Sequence, residues 1–152
     1  MSQRALTTYA SLRFMGDTLN LGAVTPVLGV EPKIAYHKGD VWKKTSSGHE
    51  VRGRTNLWLY ESRAVGSPYL RDHITDISDI LWGRRSQLGS AFDAGVRRLL
   101  ARGVTLNVSL FWYGPAGASL PVIDPAFRAL VEGYNGKIDT DFDTDDEEDE
   151  AA

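Results

Sequence analysis

The chain of 152 residues contains no cysteine. That absence excludes a disulfide framework, a thiolate nucleophile and any Cys-ligated metal. No apolar run approaches the roughly 18–20 residues that a membrane span needs. The first residues, MSQRALTTYASLRF, hold no continuous apolar core of the kind a signal peptide carries. Phosphate-cradling glycine loops of the GxGxxG and GxxxxGK[ST] types are missing, as are the G-x-S-x-G elbow and the HExxH zinc pattern. The composition therefore predicts a water-exposed, cytoplasmic protein with no cofactor, and gives no positive sign of an enzyme.

What is present is an uneven distribution of charge. The net charge is −3, yet residues 139–150, DTDFDTDDEEDE, hold nine of the 20 acidic side chains. The rest of the chain keeps 17 basic residues against 11 acidic ones. This predicts one mildly basic α+β domain over 1–143 and a solvated acidic tail over 144–152. The tail lacks the glycine and the following helix of a calcium loop, so it matches one poorly and offers at most weak, non-specific divalent binding.

Periodicity orders the body. Thr8, Ala10, Leu12 and Phe14 alternate with Tyr9, Ser11 and Arg13, which predicts a half-buried strand. A short helix follows Asn20 and stops at Gly29, with Pro26 limiting it. KIAYH (33–37) and NLWLYES (56–62) read as strands. The Gly- and Lys-rich stretch between them reads as a long hairpin connection. Leu70, Ile74, Ile77 and Leu81 form one stripe of an amphipathic helix, and a second helical stretch runs from Leu88 to Leu100. Residues 104–113 are a strand. Asp124-Pro125 starts a last helix, and 137–142 reads as an edge strand. The order β-α-β-β-α-β, then α-β, predicts a ferredoxin-like antiparallel sheet with helices on one face.

Four segments in this order, TTYASLRFMGDTL, LGVEPKIAYHKGD, WLYES and LNVSLFWYG, resemble the bacterial family catalogued as domain of unknown function 4279. The resemblance spans roughly residues 7 to 142 and leaves out the acidic tail. It implies a small bacterial domain. It carries no catalytic or ligand-binding residues with it.

Two surfaces stand out as candidate sites. If Leu12, Leu57, Leu59, Val108, Leu110 and Trp112 face the helices, the opposite sheet face gathers Tyr9, Arg13, Trp58, Tyr60, Phe111 and Tyr113. Five aromatics beside an arginine exceed what a soluble monomer leaves bare. The second surface is the hairpin, where Lys38, Trp42, Lys43, Lys44, Arg52 and Arg54 could grip an anion. The expected partner is another protein, such as the product of a neighbouring gene, or a second copy of the chain through the sheet face. Neutralisation of a toxin is one version of that role. A single-stranded nucleic acid or a nucleotide is the alternative, although the RNP1 signature of RNA-recognition domains is absent. An enzyme with a cleft near His37 and Asp40 is a third reading. His73 and Asp76 fall on adjacent helical turns, but two ligands do not make a metal site.

Overall fold

The computed structural model describes residues 8–145. Strand β1 (Tyr9–Gly16) leads through helix α1 (Leu21–Leu28) to β2 (Ile34–Tyr36). A two-stranded hairpin of β3 (Val41–Lys44) and β4 (Glu50–Arg52) precedes β5 (Asn56–Glu61). Helices α2 (Leu70–Leu81) and α3 (Phe92–Leu99) follow, then β6 (Thr105–Gly114), α4 (Pro125–Glu132) and β7 (Lys137–Thr144). The main sheet has the order β2-β5-β1-β6-β7.

Its first four strands pair antiparallel. The fifth does not: β7 runs parallel to β6 from Asn107↔Lys137 to Gly114↔Thr144. The sheet is therefore mixed, and a simple β-α-β-β-α-β order is altered by the inserted hairpin and the added strand. The physical reason lies in α4. A helix between two neighbouring strands carries the chain back to the starting edge, so the second strand runs the same way as the first. Asp124 starts that helix by accepting the Ala126 N–H at 2.9 Å, with Pro125 in the first turn.

One face of the sheet is covered by helices. Ala10, Leu12 and Phe14 on β1, and Leu106, Val108 and Leu110 on β6, join one apolar cluster with α1 to α4. Helix α2 contributes the stripe read from the sequence, with Leu70, Ile74, Ile77 and Leu81 all buried. Helix α1 ends at Gly29, whose φ of 80° takes the left-handed conformation. A Cβ there would meet the Arg85 carbonyl oxygen at 1.9 Å, so only glycine lets the two segments touch.

Beside this core lies a closed polar network. The Ala10 N–H donates to Ser62 Oγ at 2.8 Å, and Ser62 Oγ lies 2.6 Å from His73 Nδ1. His73 Nε2 is 2.7 Å from the Ser67 carbonyl. A carbonyl only accepts, so Nε2 carries the proton and Nδ1 accepts from the Ser62 hydroxyl. Ser62 and His73 are both 0% exposed. The pair resembles a nucleophile with its base, but every valence is used in fastening β1 to the α2 segment.

The acidic segment enters the fold. Asp139, Asp141 and Asp143 lie within β7, which ends at Thr144, the first residue of the predicted tail. Residues 146–152 of that tail lie outside the described residues.

Candidate functional site

The face of the sheet away from the helices is built from the odd-numbered residues of β1, β5, β6 and β7. Register fixes the neighbours. One row across the sheet reads Ile34, Leu59, Arg13, Asn107, Lys137. The next reads Glu61, Ser11, Ser109, Asp139. Beyond it come Tyr9, Phe111 and Asp141, then Tyr113 and Asp143. Tyr36, Leu57 and Met15 complete the other end.

Strand β5 is offset by one residue from the sequence expectation. Trp58 pairs with Phe14 and Tyr60 with Leu12, so both lie on the helix-covered side, while Leu57 and Leu59 take the open face. Trp58 is 1% exposed, meets Phe14 edge to face at 6.0 Å between ring centroids, and donates its indole N–H to Thr25 Oγ1 at 3.3 Å. Tyr60 donates to Asp76 Oδ2 at 2.6 Å, and Asp76 also pairs with Arg85. Burial and the Asp76 carboxylate together raise the Tyr60 pKa. Asp76 is thus committed to Tyr60 and Arg85, and His73 to Ser62 and Ser67. Among the described residues no three His, Asp or Glu side chains gather as a metal site.

Tyr9, Arg13, Phe111 and Tyr113 do share the open face. Tyr9 and Phe111 stack with centroids 4.5 Å apart and planes 17° from parallel. The Arg63 guanidinium lies 3.6 Å above the Tyr9 ring and donates to Glu61 Oε1 at 3.0 Å. Burial, acting more strongly than Arg63, raises the Tyr9 pKa. A hollow of about 380 Å³ opens between Tyr9, Arg63, Phe111, Tyr113, Asp141 and Asp143. Glu61, Arg63 and the aspartates of β7 escaped the sequence reading, because their place on this face depends on strand pairing rather than on a local motif.

The hairpin divides in two. Trp42 stacks on Tyr36 at 5.4 Å, joining the hairpin to the apolar end of the open face. Lys38 is held by Asp17 at 3.3 Å and Arg52 by Glu50 at 3.1 Å. Lys43, Lys44 and Arg54 are exposed. His37 and Asp40 sit beside one another at 3.6 Å with more than half of each side chain in solvent. They line an exposed turn, not a cleft.

A second concavity opens on the helical side. Leu81, Trp82, Phe92, Ala129, Leu130 and Tyr134 line a groove of about 600 Å³. At its rim Tyr134 donates to Asp93 at 3.0 Å, and Arg97 reaches the same carboxylate at 3.1 Å. Burial and the Asp93 hydrogen bond push the Tyr134 pKa up to about 12.

The arrangement defines a class first: an α+β domain with four helices on one face of a five-stranded mixed sheet, among the described residues, and an open, aromatic opposite face. The chain belongs to the family described as Domain of unknown function (DUF4279), whose sequence model matches residues 6–144. The comparison found no match among curated proteins and none among solved structures.

Proposed function

We propose that the chain is a non-enzymatic interaction domain whose working surface is the helix-free face of its sheet. The observation that carries this reading is the makeup of that face. It places a stacked Tyr9–Phe111 pair and the half-buried apolar Leu59 and Ile34 around a central arginine, with no helix among the described residues packed over them. Aromatic anchors around a polar centre are the composition of protein-recognition surfaces. The antiparallel strands β2-β5-β1-β6 are read here as a ferredoxin-like unit that presents this surface. A bacterial, cytoplasmic setting with a toxin as the partner is the concrete version, and it rests on analogy alone.

The nucleic-acid alternative would use the same aromatics. Asp141 and Asp143 stand beside Phe111 and Tyr113, where a base stacked on those rings would bring its phosphates against carboxylates. That charge favours a polypeptide. A photo-crosslinking amino acid placed at position 111, and separately at position 82, tests the reading in cells that express the whole chain. Protein adducts from 111 and not from 82 are expected. Adducts from 82 alone, or nucleic-acid adducts from 111, would overturn it.

A further inference from the structure

Arg13 lies at the centre of the open face, between Leu59 of β5 and Asn107 of β6. Its Nε–H is shielded from solvent and has no acceptor. No carboxylate among the described residues lies within ion-pair distance of it. Glu61, in the next row, is engaged by Arg63. Asp139, the other carboxylate of that row, stands two strands away on β7. A shielded donor without an acceptor is costly, so native chains keep few of them. This one belongs to a half-buried side chain on the helix-free face.

Its neighbours share its chemistry. Asn107 is directly opposite Arg13, while Ser11 and Ser109 face one another in the next row. The four side chains offer a guanidinium, an amide NH2 and two hydroxyls at neighbouring positions of one face, with Ser11 set deepest at 7% exposure. Such a set recognises an anion. The flanks decide which kind. On the adjoining edge Lys137 ends the row of Arg13, and Asp139, Asp141 and Asp143 follow it along β7, a net negative flank that disfavours a dianionic phosphate or a polyanion more than a single carboxylate. Beside the cluster, the Tyr9–Phe111 stack supplies an apolar seat.

We propose that Arg13, with Asn107, Ser11 and Ser109, forms a recognition site for one carboxylate of a partner polypeptide, an acidic side chain flanked by an aromatic or aliphatic one. This rests on the reading of the open face as an interaction surface and names the chemistry that the surface selects.

The test uses the full chain labelled with 15N and three probes: a blocked Phe-Glu dipeptide, its Phe-Gln counterpart, and inorganic phosphate. The Arg13 Nε–H and Asn107 side-chain amide resonances report binding directly. The Phe-Glu probe should shift both, with affinity in the millimolar range expected of so small a ligand. The Phe-Gln probe should bind at least about ten-fold more weakly, the loss of one charge-assisted bidentate pair. Arg13→Gln should abolish the response, and Arg13→Lys should restore only part of it. Equal binding of the Glu and Gln probes, or no shift at Arg13 with either, would overturn the site. Tighter binding of phosphate than of Phe-Glu would overturn it in favour of a phosphoryl ligand. Thermal melts of the variants separate loss of the site from loss of the fold. Position 111 adducts that persist in the Arg13→Gln chain would remove the carboxylate site and leave the interaction surface standing.

Discussion

The two faces of this sheet obey different rules. On the helix-covered face Ala10, Leu12, Phe14, Trp58, Leu106, Val108 and Leu110 fill the centre with apolar volume, and the polar groups beside it, Ser62 and His73, are fully paired. On the open face an arginine Nε–H goes without an acceptor, and serine, asparagine and aromatic side chains lie side by side. Close packing explains the first face completely. It does not explain the second, which we propose a partner completes. The contrast shows where stability lives and where recognition would live, although the same strands build both.

Mutations sharpen that contrast. Trp58→Ala removes the largest fully buried side chain, with its hydrogen bond to Thr25, and should destabilise by about 4 kcal/mol in denaturant unfolding. Ser62→Ala leaves the Ala10 N–H and His73 Nδ1 unpaired in a dry site, so a loss of about 3 kcal/mol is expected in the same assay. Phe111→Ala, on the open side, should cost only about 1 kcal/mol, because its ring contacts Tyr9 and little else of the core. A loss at Phe111 as large as that at Trp58 would erase the distinction between the faces.

Two further effects are smaller. Tyr134 holds its proton more tightly in the folded chain, at about 12, than in an unfolded chain near 10. A raised folded pKa contributes stability that is intact below pH 10 and lost as the pH climbs through about 12. Tyr134→Phe should flatten that part of the stability profile, which pH-dependent unfolding would show. Arg13→Met should leave stability unchanged or raise it slightly, by up to about 1 kcal/mol, since it removes an unpaired donor and keeps the apolar stem. A large loss there would mean that Arg13 serves the fold after all.

Much of this architecture was legible in residue order. The α2 stripe, the Asp124-Pro125 start and the alternation in β1 each carry a clear local signal. Strand β5 shows where the signal stops. Leu57, Trp58, Leu59 and Tyr60 are four large, mostly apolar residues in a row, so alternation has no phase, and a shift of one residue moves every side chain to the other face. Tertiary contacts set it: Trp58 meets Phe14 and reaches Thr25 on α1, contacts that local sequence does not encode. The parallel pairing of β7 was hidden in the same way. So was the meaning of its aspartates, which resemble a charged tail until register sets them beside Phe111 and Tyr113. Of the candidate surface, Tyr9, Arg13, Phe111 and Tyr113 were readable, because β1 and β6 alternate cleanly. Asn107, Ser109 and Glu61 carry no signal until the strands are paired.

Hydroxyl-radical footprinting of the full chain, free and in the complex recovered from its native cells, tests the central claim most directly. Tyr9, Met15 and Phe111 should lose reactivity in the complex while Trp82, on the helical side, keeps its own. Protection of Trp82 and Leu88 with Tyr9 and Phe111 unchanged would place the working surface on the wrong face and contradict the account.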